Sequence, residues 1–259
     1  MTQNSNDEMT HFGFQSVRAS EKAARVREIF DSVASRYDVM NDLMSGGVHR
    51  IWKDAFVSWL DPRPGRQYLD VAGGTGDIAF RILRSAARQP TGGQPPATVT
   101  VCDINEEMLR VGRDRAMDHA LSDGLSWVVG DAQALPLPDR SVDAYTIAFG
   151  LRNVTRIEDA IADARRVLRP GGKMMILEFS KVVIPVFDRL YDLYSFKALP
   201  LMGRFVAGDE DAYRYLVESI RRFPPQDELA RKMEEAGFRQ VQYRNLTGGI
   251  AAMHVGWRL

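Results

Sequence analysis

From Gln67 onward, short strand-like and longer helix-like hydrophobic patterns alternate along the chain, and this rhythm restricts the topology more than any other feature. "QYLDVA" reads as a strand, Gly76 to Arg88 as a helix, "TVTVCD" as a strand with β-branched alternation, and Asn105 to Leu121 as a helix. "LSWVVG" and "VDAYTIAFG" are two further strands, Ile157 to Leu168 is a helix, and "GGKMMILEFS" is a strand after the "RPGG" turn. Strands separated by helices imply parallel βαβ units. The rhythm breaks between Val182 and Phe223, a segment rich in Tyr, Phe, Leu, Met and Arg that reads as a helical insertion. It resumes with a helix over Asp227 to Ala236, and "FRQVQYRN" and "GIAAMHVGWR" close the chain as an antiparallel pair. The expected fold is α/β: a doubly wound, mostly parallel sheet of seven strands with an antiparallel C-terminal hairpin.

Upstream of that unit, residues 1–20 read as a flexible arm, although "HFGFQSV" is unusually aromatic for one. Residues 21–61 read as a helical cover. One helix runs from about Glu21 to Tyr37 with Ala24, Val26, Ile29, Phe30 and Val33 as its buried face. A second spans Val48 to Leu60 and ends at "DPRPG". Residues 62–259 form the main domain, with 182–223 inserted in it.

Composition removes several function classes. Thirty-four basic residues balance 34 acidic ones, so the global positive charge of a nucleic-acid binder is missing. The single cysteine excludes an intrachain disulfide, and with four scattered histidines it argues against a metal site. The polar start "MTQNSNDEMT" lacks a signal peptide's apolar stretch, and no apolar run approaches a membrane span of ~20 residues. A cytoplasmic protein is expected.

The chemistry concentrates at strand ends. In "LDVAGGTGD" (Leu69 to Asp77) glycines close a strand and open a helix, which lets backbone approach a ligand and leaves free N–H groups at the helix start. Gly74 and Gly76 are present, but the third glycine of the dinucleotide fingerprint is missing. Asp70 could receive an ammonium group, Asp103 in "VCDIN" both hydroxyls of a ribose, and Asp131 in "VVGDAQALP" an adenine amino group. Each alone could be a solvated loop aspartate, but three at the carboxyl ends of consecutive strands make a convergent acidic cleft. Carboxylates for an amine and a ribose, without a phosphate-binding lysine, fit S-adenosylmethionine better than NAD or ATP. The pattern resembles the class I, Rossmann-like methyltransferases.

Five stretches narrow the resemblance: "SVASRYDVMNDLMSGGVHRIWK", "LDVAGGTGD", "AFGLRNV", "RVLRPGGKMMILEFSK" and "NLTGGIAAMHVG". Together they resemble the ubiquinone/menaquinone biosynthesis C-methyltransferases of the UbiE/MenG type, from about His11 to Trp257. The resemblance implies methyl transfer from S-adenosylmethionine to a ring carbon of a polyprenylated quinol: demethylmenaquinol, a 2-methoxy-6-polyprenyl-1,4-benzoquinol, or both. It also implies cofactor contacts at Thr75, Asp103, Asp131 and Ala132, beside Asp70, Gly74 and Gly76. Ala148 stands where some relatives carry serine, so a hydroxyl contact would be absent while a backbone contact could survive.

Carbon methylation requires phenolate character on the acceptor. A phenol with a pKa of ~10 is about 0.1% ionised at pH 7, so stabilising its anion requires roughly 4 kcal/mol. Arg152, in "FGLRN", is the first candidate to fork onto the phenolate oxygen; the alternative is a structural salt bridge to Asp131 or Glu178. Asn153 could orient the ring, and His49, Asp38 or a water could take the ring proton. Glu178 is a weaker candidate. Tyr37, Asp38, Asn41 and His49 are expected to line a lid over the cofactor, with Met40 and Met44 as adaptable wall. Tyr191, Tyr194, Phe196, Leu199, Met202 and Phe205, amid basic residues, would take the quinol headgroup and first isoprene units. Peripheral contact with the inner face of a membrane would follow. Another small-molecule O- or N-methyltransferase is the alternative, and a homo-oligomer or a quinone-biosynthesis assembly stays open.

Overall fold

A computed structural model describes residues 8–33, 47–121, 123–182 and 210–259. Nine strands and seven α-helices are placed among them. The order is β1 (Met9–Phe12), β2 (Gln15–Arg18), α1 (Ala19–Val33), α2 (His49–Leu60), β3 (Gln67–Val71), α3 (Asp77–Ala87), β4 (Thr98–Asp103) and α4 (Glu106–Asp118). Then follow β5 (Leu125–Val129), β6 (Val142–Ala148), α5 (Ile157–Val167), β7 (Leu168–Phe179), α6 (Glu210–Arg222), α7 (Gln226–Glu235), β8 (Arg239–Leu246) and β9 (Ala251–Trp257).

Seven strands form one sheet in the order β5-β4-β3-β6-β7-β9-β8. The pairs from β5 to β7 are parallel, and β9 runs antiparallel to both β7 and β8. This is the expected doubly wound sheet with its reversed C-terminal hairpin. The chain leaves β3 towards β4 and β5, then returns to β6 on the other side of β3. That reversal opens a crevice at the carboxyl ends of β3 and β6, where ligands of such sheets bind.

Both sheet faces are buried, and alternation along each strand sends side chains to separate cores. Tyr68, Val99, Val101, Met175, Leu177 and Phe179 join Trp52, Phe56 and Leu60 of α2 and Ile78 and Ile82 of α3. Leu69, Val71, Cys102, Tyr145, Met174 and Ile176 join Ile161 and Ala164 of α5 and Leu229 and Met233 of α7. The strand expected after the "RPGG" turn begins earlier. Val142 pairs with Leu168 and Ala144 with Lys173, so residues 169–172 bulge from one continuous β7.

Two expectations near the N-terminus are corrected. The arm contains a β-hairpin, β1–β2, whose two-residue loop starts with Gly13 at φ +58°. Its aromatic residues explain the order: Phe12 stacks on Tyr215 of α6 with centroids 4.4 Å apart, and Val17 is buried. On α1, Val26 is buried as expected, but Ala24 is exposed and Lys22 is buried instead. The helix presents the stripe of Lys22 and Val26 inward, with the Lys22 ammonium donating to the Val154 carbonyl at 3.0 Å. Burial lowers the Lys22 pKa to about 8. The expected lid residues Tyr37, Asp38, Met40, Asn41 and Met44, and the expected acceptor residues Tyr191 to Phe205, lie outside the described residues.

Candidate active site

A cavity of about 1150 Å³, counting its open mouth, occupies the crevice above β3, β4 and β6 and is roofed by α1. Asp70, Gly74, Thr75, Asp103, Asp131, Ala132, Ala148 and Asn153 all line it. Sequence positions scattered over more than eighty residues thus meet at one sheet edge. Gly76, His49 and Arg152 are not among its lining residues.

Asp70 is the most unusual group in this wall. It lies one residue before the end of β3, opposite Thr146 of β6, whose hydroxyl donates to Oδ1 at 2.8 Å. Its Oδ2 is buried and has no hydrogen-bond partner. Burial raises its pKa to about 7, with Asp77 and Asp103 adding to the effect and the Thr146 bond opposing it. An orphaned carboxylate oxygen at a cavity wall is a ready acceptor for a cationic ligand.

The glycine loop brings backbone close to this space. A Cβ on Gly73 would lie 2.6 Å from Val101 Cγ1 and 2.9 Å from Asp70 Oδ2, so a side chain there would displace either the core or the carboxylate. Gly74 adopts φ +52° and donates its N–H to Asp103 Oδ2 at 2.9 Å. Gly76 sits at the N-cap of α3 with φ +82°, where a Cβ would meet Trp127 at 2.8 Å. It permits close helix–strand packing beneath the loop.

Asp103 accepts the Asn105 N–H on Oδ1 at 2.9 Å, and burial still raises its pKa to about 6 against three backbone hydrogen bonds. Three backbone donors leave at least one of the four carboxylate lone pairs open to a ligand hydroxyl. Asp131 holds Gln133 through its backbone and side-chain amides at 2.9–3.1 Å, which fixes the loop that presents Ala132. Thr75 accepts from Arg115 at 2.8 Å. Lys53 also lines the cavity, but its ammonium is paired with Asp77 Oδ2 at 2.8 Å. Burial would raise Asp77, yet Lys53 and Arg81 together hold it at about 2. Asp77 remains a carboxylate bound to its own cations.

The β6 end is tightly pressed. Ala72 and Phe149 take left-handed conformations with φ +50° and +58°, which disfavour residues with a Cβ by about 1–2 kcal/mol each. A Cβ on Gly150 would sit 2.3 Å from the Ala72 Cβ. The 3₁₀ turn Leu151–Asn153 follows and separates the two motif residues. Asn153 faces the cavity, whereas Arg152 turns inward: its side chain is 1% exposed and paired with Glu178 Oε1 at 2.9 Å. The same guanidinium nitrogen donates to the Phe149 carbonyl, and the group lies 5.7 Å from the Phe179 ring. Of the two sequence alternatives for Arg152, the salt bridge to Glu178 is the one formed. The turn directs the two consecutive side chains to opposite sides, so the Arg152 guanidinium lies away from the cavity that Asn153 lines. Burial raises the Glu178 pKa despite the arginine beside it. His49, expected on the wall, is buried as the first residue of α2.

Residues the sequence reading missed include Asn105, Met108 and Gln133, and Ala23 and Arg27 from α1. Asn105 caps α4 by accepting the Met108 N–H at 3.0 Å, which brings Met108 beside Gly74. An Asn followed by "EEM" is a legible N-cap signal; the approach of α1 carries no local signal.

The family comparison decides what this geometry belongs to. The profile of the ubiE/COQ5 methyltransferase family matches residues 18–258. The chain belongs to that family. It is 60% identical over 250 residues to the ubiquinone/menaquinone biosynthesis C-methyltransferase UbiE of Paracoccus denitrificans, covering 96% of this chain and 97% of that one. The namesake from Dinoroseobacter shibae is 57% identical, covering 98% and 99%. Among solved structures, a SAM-dependent methyltransferase from Thermotoga maritima superposes with a TM-score of 0.63 at 18% identity, covering 90% of this chain and 99% of that one. The [4+2]-cyclase SpnF also gives 0.63, at 17% identity, covering 91% and 96%. A cyclase and a methyltransferase on one scaffold illustrate that the fold alone does not name the reaction.

The protein is an S-adenosylmethionine-dependent methyltransferase, and its cavity suits that cofactor. The orphaned Asp70 oxygen, the glycine cradle that a Cβ would fill, and the Asp103 carboxylate match an amine, a close backbone contact and a ribose. Among the described residues no helix is long and apolar enough to cross a membrane, and no cluster of metal-ligating side chains occurs.

Proposed function

We propose that this enzyme methylates a ring carbon of a polyprenylated quinol, demethylmenaquinol or 2-methoxy-6-polyprenyl-1,4-benzoquinol or both. The observation that carries the site reading is the unpartnered Asp70 oxygen in the same cavity wall as Asn153. The names of relatives at 56–60% identity support the quinol class.

In this reading Asp70 receives the cofactor's ammonium, Asp103 its ribose hydroxyls, and Asp131 with the Ala132 backbone its adenine. Gly74, Thr75 and Ala148 supply close walls. S-adenosylmethionine supplies a methyl group already activated on a sulfonium, so the protein's contribution is alignment, which can reach ~7–11 kcal/mol. Asn153 holds a ring oxygen, and the buried Arg152–Glu178 pair fixes the turn that presents it. Residues 21–61 act as a cover, in keeping with the approach of Ala23, Val26 and Arg27 to the cavity. Residues 182–223 complete the acceptor site and bring the protein to the inner membrane face, where the polyprenyl tail stays in lipid.

The test uses short-chain demethylated naphthoquinol and methoxy-benzoquinol with methyl-labelled S-adenosylmethionine, reduced and oxidised forms in parallel, without oxygen. Label on the ring carbon of the reduced form alone is expected. Label on oxygen or nitrogen of another acceptor, with none on either quinol, would replace the reading.

A further inference from the structure

The aromatic hairpin at the N-terminus has no part in the cofactor site, yet it is tied to the acceptor side through α6. Gly13 lies so close to that helix that a Cβ on it would fall 2.2 Å from Glu218 Oε2. The next residue, Phe14, donates its N–H to that oxygen at 2.9 Å, and Arg222 lies over the Phe14 ring at 5.7 Å. Phe12 stacks on Tyr215 at an interplanar angle of 25°. Tyr215 is buried, and its hydroxyl donates to Asn153 Oδ1 at 3.0 Å. A continuous set of contacts therefore runs from the hairpin, through the Tyr215 ring, to the one motif amide on the cavity wall.

A carboxamide is nearly symmetric in shape, and its two orientations offer a ligand opposite chemistry. The Tyr215 hydroxyl breaks that symmetry. If the amide reversed, the hydroxyl could accept from it, but its own proton would then lack an acceptor among the described residues, in a buried place. Burial also raises the Tyr215 pKa, so the hydroxyl stays a neutral donor throughout the physiological range.

We propose that Tyr215 is a positioning residue: clamped by Phe12, it fixes the Asn153 carboxamide with Oδ1 inward and its Nδ2 hydrogens available to a ring oxygen of the acceptor. This rests on the quinol reading above and adds the device that sets the donor's direction. A ring oxygen carrying negative charge accepts from this amide; a ring oxygen that must donate finds no acceptor there.

The experiment is a double-mutant cycle with Tyr215→Phe and Asn153→Ala, read by kcat, by KM for the quinol and by S-adenosylmethionine affinity. Tyr215→Phe keeps the stack on Phe12 and removes only the hydroxyl. A kcat loss of about tenfold to a hundredfold is expected, with cofactor affinity within twofold of wild type. In the Asn153→Ala background the same change should have no further effect, because its route of action is already gone. Phe12→Leu, which leaves the hydroxyl in place, should lower kcat in the same direction. Independently of turnover, the Asn153 side-chain amide protons, assigned by their loss in Asn153→Ala, should shift and exchange faster in Tyr215→Phe. Full additivity in the cycle, or wild-type kcat in Tyr215→Phe, overturns the proposal. So does an unchanged amide signal, which also decides the matter if neither quinol is methylated and the quinol reading itself fails.

Discussion

Replacing Asp70 by asparagine isolates the electrostatic consequence of the orphaned oxygen. The carboxyl pKa rises from 3.8 in an unperturbed chain to about 7 in the folded protein, burial being the largest cause. A raised folded-state pKa means that the folded protein holds its proton over a window in which the unfolded chain has lost it. The stabilisation is complete below the unfolded value and is lost as pH rises to the folded value. Two of the roughly three units fall between pH 5 and pH 7, and at about 1.36 kcal/mol per unit they amount to roughly 3 kcal/mol. Asparagine does not titrate. Its fixed effects, such as an amide left where Oδ2 stood, are the same at every pH and drop out of the comparison. Urea unfolding of cofactor-free wild type and Asp70→Asn at pH 5 and pH 8 should therefore show the variant gaining roughly 3 kcal/mol relative to wild type over that interval. Calorimetric titration at pH 8 should show S-adenosylmethionine bound about tenfold to a hundredfold more weakly by the variant, the range of a lost charge-assisted hydrogen bond of ~1.5–3 kcal/mol. Wild-type affinity should weaken as pH falls below about 7. Parallel stability profiles for the two proteins would refute the claim that folding leaves this carboxylate without compensation.

Other perturbations probe the rest of the wall. Glu178→Gln strands the buried Arg152 charge and should lower unfolding free energy in denaturant titrations by about 3–5 kcal/mol. Gly150→Ala places a methyl where the Ala72 Cβ lies 2.3 Å away and should destabilise by about 1–3 kcal/mol while weakening cofactor binding, both measurable by thermal shift with and without S-adenosylmethionine. Lys53→Met should let the Asp77 pKa climb from about 2, so acid denaturation of the variant should begin at higher pH than in wild type, seen by circular dichroism.

The strands and helices of the main unit were legible because each carries its own pattern: a short run for β3, alternation for β4, a period of 3.6 for α3 and α5, with glycine or proline at the joints. Asp70, Asp103 and Asp131 could be expected at one edge because parallel βαβ units place all their carboxyl ends on the same side. The hairpin was misread as an arm because four-residue strands carry too little pattern; the Tyr215 ring and the Glu218 carboxylate, some two hundred residues away, hold it in place. The close packing of Gly76 under Trp127 was not legible, because a glycine needed for packing looks, in a motif, like one needed by a ligand.

Local pattern, then, was sufficient for the fold class, the strand-end acids and the family, since period, turn chemistry and motif spacing are properties of neighbouring residues. Side-chain direction at the reacting edge was not. Arg152 and Asn153 are adjacent in "FGLRN", yet one lies against Glu178 inside the protein and the other faces the cavity under the hold of Tyr215. A 3₁₀ turn separates them, and which of the two points inward depends on a buried carboxylate from β7 and a hydroxyl from α6. Those partners are 26 and 62 residues distant in sequence, and only tertiary packing brings them to the site.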